Sequence, residues 1–134
     1  MYILFKSVHA HGLNMNAIKQ IESGGNPNAY NKHAQAKGLY QITPICLKEY
    51  NNYHENKIKD EELFNAKLNY TIANWYITKR IPQMLKHYGK RLTNRNIIIS
   101  YNAGISYVVE NKDLPEETEN YIIKYNKITK GGRL

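Results

Sequence analysis

A chain of 134 residues with 42% hydrophobic and 22% charged residues is long enough to bury one core and has the composition of a globular domain. The formal charge of +8 favours an anionic partner, which leaves nucleic acid, anionic lipid and anionic cell-wall polymer as candidates. Cys46 is the only cysteine, which excludes an intramolecular disulfide, and we interpret it as a half-buried structural residue. We expect a single domain over residues 1–134.

The N-terminal segment does not resemble a signal peptide, because the apolar run MYILF at residues 1–5 is short and is soon followed by His9 and His11. No stretch approaches the length of a membrane span. Residues 2–11 predict a first short helix, which Gly12 ends.

The second predicted helix runs from about residue 17 to residue 23, with Asn14 or Asn16 as its cap. Its apolar stripe consists of Ala17, Ile18 and Ile21. Glu22 lies beside this stripe in the last turn, where the helix macrodipole favours cations over acids. The acid is therefore slightly costly to the helix, which indicates a role other than helix stability.

The following segment, residues 24–43, predicts a loop with a short β-ribbon through residues 38–43. Thr43 then predicts the cap of a helix that has Pro44 in its first position and runs to about Tyr53.

The acids at residues 60–62 predict the start of the longest helix, because carboxylates are favourable at its positive end. Apolar residues at spacings of 3 and 4 predict one buried face. These residues are Leu63, Ala66, Tyr70, Ala73 and Ile77. Pro82 predicts a break or kink in this helix, and a further turn ends near Gly89.

Two more helices complete a mainly helical prediction. Asn94 is the expected cap of a buried helix through residues 97–101, and the last helix starts after Pro115. The apolar stripe of the last helix consists of Tyr121, Ile122, Tyr125 and Ile128. We expect the tail, residues 130–134, to be frayed.

Glu22 has the surroundings of a general acid. Burial disfavours the charged form of a carboxyl group, and a carboxyl that stays protonated can donate a proton to a leaving glycosidic oxygen. Hydrolytic glycosidases usually add a second carboxylate as nucleophile or base. The next acid along the chain is Glu49, so no second carboxylate lies near Glu22 in sequence.

Four segments, in order, resemble motifs of the soluble lytic transglycosylases. Residues 22–29, ESGGNPNA, resemble the family's catalytic segment, and residues 38–44, GLYQITP, resemble its "GLMQ-(I/L)-xP" motif. Residues 100–104, SYNAG, are similar to "AYNAG", and residues 114–121, LPEETENY, are similar to "LP-x-ET-x-x-Y". The lead-in at residues 11–14, HGLN, is also similar to the family's.

The departures from the family pattern concern substrate preference more than activity. Tyr40 stands where Met is usual, which makes that part of the site bulkier and adds a hydroxyl. Ser100 replaces Ala, and Gly25 replaces a common apolar or aromatic residue.

The resemblance implies a mainly α, lysozyme-like α+β fold: a single helical domain with a small loop or β-ribbon beside the active-site cleft. It also implies an enzyme that cleaves the β-1,4 bond between N-acetylmuramic acid and N-acetylglucosamine in peptidoglycan and leaves a 1,6-anhydro product. Glu22 would act first as the acid and then as the base, and the sugar's own C6 hydroxyl would replace the second carboxylate.

Further site residues follow by position in the motifs. The resemblance implies that the substrate is bound by Ser23, Gly38, Leu39, Tyr40, Gln41, Tyr101, Asn102 and Tyr121. Ser23 also fits a local helix-end cap, and Tyr121 also fits core packing. Gln41 also fits a solvated loop amide, and Gly38 fits a backbone turn.

We expect neither metal nor cofactor, because the histidines lack metal-ligand spacing and Gly24-Gly25 is not followed by the residues of a phosphate loop. The expected partner is the peptidoglycan glycan strand rather than nucleic acid, and we expect a monomer. The substrate implies action in the periplasm or cell wall, with delivery by a phage particle or lysis system or by a secretion or conjugation machine.

Two alternatives stay open. One is a hydrolytic muramidase of the same fold, with a water placed by neutral groups. The other is a catalytically silent basic module that binds wall or nucleic acid through pairs such as Lys79-Arg80 and Lys90-Arg91. The joint presence of Glu22, Ser23, Gln41 and Asn102 favours an enzyme, since a pure binding module has no need of a buried acid.

Overall fold

A computed structural model describes residues 12–131. The helices are α1 (Met15–Ser23), α2 (Pro44–His54), a 3-10 helix (Asp60–Phe64), α3 (Ala66–Trp75), a π-helical turn (Tyr76–Arg80), α4 (Ile81–His87), α5 (Asn94–Asn102), α6 (Ser106–Val109) and α7 (Glu116–Gly131). The strands are β1 (Tyr30–Asn31) and β2 (Ala36–Lys37). The predicted class, mainly helical with a small antiparallel ribbon, is confirmed. The predicted helix over residues 2–11 and most of the predicted frayed tail lie outside the described residues.

The described chain divides into two compact units. The first unit is Met15–Tyr76, and the second consists of residues 12–14 and 77–131. In the first unit α3 packs against α2 and the 3-10 helix, and in the second α5 packs against α4, α6 and α7. The expectation of a single domain stays a prediction. Within residues 12–131, none of the helices combines the length and the apolar character needed to cross a membrane.

The β-ribbon lies earlier in the chain than predicted. Its antiparallel register pairs Tyr30 with Lys37 and Asn31 with Ala36. Lys37 also bridges Ile42, and the two backbone hydrogen bonds of this bridge are each 3.0 Å long. The predicted ribbon over residues 38–43 is therefore wrong except at Ile42. The reason is that Gly38 and Gln41 have φ angles of 83° and 51°, and this left-handed backbone forms a turn rather than a strand.

The N-terminal ends of α1 and α2 lie at or near the predicted positions. α1 begins at Met15, two residues earlier than predicted, so Asn14 rather than Asn16 directly precedes it. α2 begins at Pro44, and the Thr43 hydroxyl accepts a hydrogen bond from the Cys46 backbone N–H at 3.3 Å, as predicted.

Cys46 lies in α2 and is buried. This burial, with a smaller contribution from the Glu49 carboxylate, raises the pKa of the Cys46 thiol far above its ordinary value. A thiol in such an environment is inert, which agrees with the structural role expected from the sequence.

The longest predicted helix is interrupted at its start. Asn65 has an extended backbone with φ −76° and ψ 119°, and its side chain accepts from the Leu68 N–H at 2.9 Å. Asparagine thereby ends the 3-10 helix and caps α3, because its side chain can replace a helical backbone bond. The restart changes which face is buried. Ala66 and Tyr70 of the predicted stripe are exposed, Tyr70 by 43%. The buried residues of α3 are Asn69, Ile72, Ala73 and Trp75.

The predicted irregularity at Pro82 is observed slightly upstream of it. Pro82 lies in the first turn of α4, directly after the π-helical turn Tyr76–Arg80. A proline ring clashes with the carbonyl four residues earlier in a regular α-helix. That carbonyl belongs to Thr78 and lies within the wider turn, so the chain changes its winding where the clash would occur.

In the second unit, Thr93 rather than Asn94 caps α5. The Thr93 hydroxyl accepts from the Asn96 N–H at 3.0 Å, and Asn94 is the first helical residue. Threonine takes this place because its backbone is extended, with φ −106° and ψ 157°, as an N-cap requires.

The predicted stripe of α7 is correct at Tyr121 and Tyr125, which are buried, and wrong at Ile128, which is 41% exposed. Thr118 is buried as well and was not part of the predicted stripe. The Tyr125 hydroxyl accepts a 2.8 Å hydrogen bond from the Asn14 backbone N–H, which fixes the segment before α1 to α7.

Gly38 provides a test of the packing beneath the ribbon. A Cβ at Gly38 would collide with the Asn69 amide and lie 2.5 Å from the Leu63 carbonyl oxygen, whereas a Cβ at Gly24 would meet nothing within 4 Å. Both glycines have positive φ, 83° and 65°. We expect Gly24→Ala to lower the free energy of unfolding by about 1–2 kcal/mol through backbone strain. Gly38→Ala should cost roughly 1–3 kcal/mol more through overpacking.

Urea denaturation followed by circular dichroism measures both glycine variants. Equal losses of stability in the two would show that the collision with Asn69 and Leu63 is relieved at no cost.

Candidate functional site

Glu22 lies in the last turn of α1 and is half-buried. The chain turns directly after it, since Gly24 and Gly25 have φ angles of 65° and 85°. The Ser23 hydroxyl holds this turn: it donates to the Lys19 carbonyl oxygen at 3.2 Å and accepts from the Gly25 N–H at 3.1 Å. The helix-end interpretation of Ser23 is therefore correct, and the effect of these bonds is to present Glu22 at the end of a fixed helix.

The loop at residues 38–41 is held by its own backbone and by one side chain. The Gly38 N–H donates to the Ala29 carbonyl oxygen at 2.9 Å, and the Gln41 N–H donates to the Gly38 carbonyl oxygen at 3.1 Å. The Gln41 side-chain nitrogen donates to the same two carbonyl oxygens, at 3.2 and 3.1 Å. The Gln41 amide oxygen takes no part in these bonds, so it is the atom of that side chain that suits a donor on a ligand.

Asn69, in α3, holds the loop at residues 38–41 through side-chain hydrogen bonds. This residue was missed by the sequence analysis. Its Oδ1 accepts from the Tyr40 N–H at 2.8 Å, and its Nδ2 donates to the carbonyl oxygens of Lys37 at 2.9 Å and Leu63 at 2.8 Å. Asn69 is fully buried, and a buried amide must find such partners. The available signal was its position in a helix, next to Ile72 and Ala73 on the apolar face, where a polar residue requires an explanation.

Tyr40 and Leu39 differ in their surroundings. The Tyr40 side chain is 2% exposed, and its ring centroid lies 5.9 Å from that of Tyr70. Burial, with a smaller contribution from Tyr70, raises the pKa of the Tyr40 hydroxyl. Leu39 is only half-buried. Tyr40 therefore anchors the loop in the core of the first unit, while Leu39 retains surface that a ligand can contact.

In the second unit, one side-chain bond joins two of the sequence motifs. Asn102 is the last residue of α5, and its Oδ1 accepts a 2.7 Å hydrogen bond from the Thr118 hydroxyl. Thr118 is 1% exposed and lies in the first turn of α7. The bond orients the Asn102 amide with its nitrogen as the remaining donor. The sequence analysis missed Thr118, although it lies inside the LPEETENY segment.

Tyr101 and Tyr121 complete the predicted set in the second unit. Tyr101 is half-buried at the end of α5, whereas Tyr121 is 5% exposed, one turn after Thr118. Core packing of Tyr121 is thereby observed. The structure thus groups the predicted residues Glu22, Ser23 and 38–41 in the first unit, and it groups Tyr101, Asn102 and Tyr121 in the second.

The described part of the chain offers no group of side chains of the kind that binds a metal ion. Across residues 12–131, no three His, Cys, Asp or Glu side chains are grouped so that they could share a metal ion.

A half-buried carboxyl at the end of a helix, followed by a turn that the next side chain holds, is compatible with the general acid of an enzyme that cleaves glycosidic bonds. The family model described as the transglycosylase SLT domain matches residues 12–124, and the chain belongs to this family. Membership agrees with the lysozyme-like α+β fold and indicates a glycosidic-bond-cleaving transglycosylase that acts on cell-wall peptidoglycan. No curated protein and no solved structure gave a significant match.

The role of Asn69 can be tested by its removal. Asn69→Ala leaves the Tyr40 N–H and the Leu63 carbonyl without their side-chain partner, and each unsatisfied buried group costs about 1–3 kcal/mol. We expect the free energy of unfolding to fall by at least about 2 kcal/mol. Asn52→Ala, at an exposed position of α2 in the same unit, is the matched control and should change it by less than about 0.5 kcal/mol.

Urea titration with Trp75 emission as the signal measures both variants, since Trp75 is the only tryptophan. A stability loss in Asn69→Ala no greater than that of Asn52→Ala would contradict the role assigned to Asn69.

Proposed function

We propose that the protein is a lytic transglycosylase that cleaves the β-1,4 bond between N-acetylmuramic acid and N-acetylglucosamine and forms a 1,6-anhydro product, with Glu22 as its catalytic residue. The observation that carries the proposal is the half-buried position of Glu22 at the end of α1, within a segment matched by the family model. The turn fixed by Ser23 supports it, because a general acid must be held in one orientation.

The proposed reaction needs one carboxyl group. Glu22 donates its proton to the glycosidic oxygen as the bond from that oxygen to C1 of the muramic acid breaks. The resulting carboxylate then takes the proton of the C6 hydroxyl, whose oxygen forms the new bond to C1. The carboxyl group is regenerated, no water is consumed, and the attacking oxygen comes from the substrate itself.

The proposed contacts to the glycan follow from the atoms that remain available. The Gln41 amide oxygen accepts from a sugar hydroxyl or an acetamido N–H, and the Asn102 amide nitrogen donates to a sugar oxygen. Leu39 and Tyr101, both half-buried, provide apolar contact.

The other four predicted residues act through their neighbours in this proposal. Ser23 and Gly38 shape the two turns, and Tyr40 and Tyr121, which are buried, hold the loop and α7.

A hydrolytic muramidase is the second candidate, and Glu49 is the observation in its favour. Glu49 is a half-buried acid on a helix of the same unit as Glu22, and its Oε2 lies 3.4 Å from the Tyr76 hydroxyl. Hydrolytic glycosidases usually use a second carboxylate to activate water or to act as nucleophile, and Glu49 is the one acid besides Glu22 that is half-buried in the described part of the first unit.

Glu22→Gln and Glu49→Gln form a matched pair, because each replaces one half-buried helical carboxyl group by an amide of similar shape that cannot exchange a proton. We expect Glu22→Gln to lower the rate of peptidoglycan clearing by at least about a hundredfold, the usual contribution of a general acid or base. Glu49→Gln should retain the rate to within a few-fold. Mass spectrometry of the released muropeptides should show products lighter by one water than the hydrolytic ones.

Near-native turnover by a folded Glu22→Gln protein would refute the assignment of Glu22 as the catalytic residue. Reducing-end products from the wild type, with loss of activity in Glu49→Gln, would establish the hydrolase instead.

Thr118→Val tests whether Asn102 binds substrate in the orientation that Thr118 sets. The change keeps the shape of the side chain and removes the 2.7 Å hydrogen bond to Asn102. A bond of this kind is worth about 0.5–1.5 kcal/mol, so we expect KM for soluble glycan oligomers to rise roughly two- to tenfold with kcat little changed. Thr71→Val is the control, since the exposed Thr71 hydroxyl bonds only a carbonyl of its own helix, that of Lys67.

A purely structural role for Thr118 would instead lower thermal stability and leave KM at the wild-type value.

A further inference from the structure

Four aromatic rings lie together in the first unit, at the C-terminal ends of α2 and α3. Tyr50 and Trp75 are buried, while Tyr53 and His54 are exposed, Tyr53 by 60%. The ring centroids of Tyr53 and His54 are 5.2 Å apart, and each lies 5.2–5.4 Å from that of Trp75. His54 also stacks on Tyr50 at 4.0 Å. We call these four residues the aromatic surface.

The exposed rings of the aromatic surface are held in place before any ligand arrives. His54 Nδ1 lies 3.0 Å from the Tyr50 carbonyl oxygen, so in the neutral imidazole the proton is on Nδ1 and Nε2 is an acceptor. Trp75 meets Tyr53 and His54 edge-on, at interplanar angles of 73° and 71°, which is a favourable aromatic geometry. Rings fixed in this way lose little conformational entropy on binding.

The chemistry of the aromatic surface suits a ligand with both apolar and polar faces. The four residues themselves contribute no Lys or Arg side chain, so they supply ring faces and hydrogen-bonding edges rather than a fixed positive charge. The exposed groups are flat ring faces with a phenol hydroxyl and an imidazole nitrogen at their edges. A pyranose ring matches them, because its C–H face packs on an aromatic ring while its hydroxyl and acetamido groups form hydrogen bonds.

The size of the aromatic surface also favours a sugar over a protein partner. A stable protein interface buries about 800 Å² on each partner. Two exposed side chains offer far less, but they suffice for one or two sugar rings. The predicted site residues are Glu22, Ser23, 38–41, Tyr101, Asn102 and Tyr121, and the aromatic surface shares none of them.

We propose that the aromatic surface is a second glycan-binding site, which takes β-1,4-linked N-acetylated sugar residues without cleaving them. The proposal rests on the proposed function, since a polymeric glycan substrate can engage two sites of one protein molecule. Binding at the aromatic surface raises the local concentration of glycan at Glu22, as expected for two linked binding events.

The experiment uses the linear tetramer of β-1,4-linked N-acetylglucosamine as the probe and Glu22→Gln as the background, so that binding is observed without turnover. Trp75 is the only tryptophan, and its emission therefore reports directly on the aromatic surface. We expect a saturable change in Trp75 emission. Tyr53→Ala should raise the half-saturation concentration roughly tenfold, which corresponds to a loss of about 1.4 kcal/mol of binding free energy. Tyr53→Phe should retain most of the affinity.

Tyr88→Ala is the matched control, because Tyr88 is a similarly exposed tyrosine, at 52%, that contacts a histidine in the second unit. Its affinity should equal that of the background protein. Thermal unfolding by circular dichroism checks that each variant is folded. The absence of a saturable Trp75 response, or an unchanged affinity in folded Tyr53→Ala, would overturn the proposal.

The same variants separate this proposal from the proposed reaction. Tyr53→Ala with Glu22 intact should still release anhydro products. Its rate, relative to that of the wild type, should be reduced on intact sacculi and little changed on short soluble fragments. The same relative rate on both substrates would count against a second site. Saccharide binding through Tyr53 in a protein that releases no anhydro product would support the glycan site and refute the transglycosylase reaction.

Discussion

Three hydrogen bonds made by the buried Asn69 amide hold the first unit together at the point where function is expected. They connect α3 to the Tyr40 N–H and to the carbonyl oxygens of Lys37 and Leu63. The loop at residues 38–41 has left-handed backbone at both ends, and strained backbone persists only where its surroundings impose it. Gly38 follows from the same constraint, since any Cβ there would enter the space of the Asn69 amide.

The second unit uses a similar device on a smaller scale. The hydrogen bond from Thr118 to Asn102 joins the end of α5 to the start of α7, so two segments that are 16 residues apart in the chain act together. In both units a buried polar side chain determines the position of a motif residue. The cost of an unsatisfied buried group makes such bonds specific, because no shifted arrangement satisfies the same atoms.

Glu22 differs from these positioning residues because the role we propose for it depends on proton transfer rather than on packing. In the proposed reaction a single carboxyl group acts twice, and the turn held by Ser23 keeps that group at a fixed helix end. The aromatic surface, which lies in the same unit, suits a polymer long enough to be held at one place and cut at another. Family membership, the turn after α1 and the ring geometry are thus compatible with one glycan substrate.

The sequence by itself determined the helical class, the cap of α2 by Thr43 and Pro44, the structural nature of Cys46 and the segments that carry the family resemblance. Each of these depends on local chemistry or on residues that are adjacent in the chain. The tertiary structure decided that the ribbon starts at Tyr30, that Asn65 restarts the helix, and that Asn69 and Thr118 hold the motif residues. Those outcomes depend on hydrogen bonds between distant segments, and local periodicity contains no information about which distant carbonyl or N–H will need a buried partner.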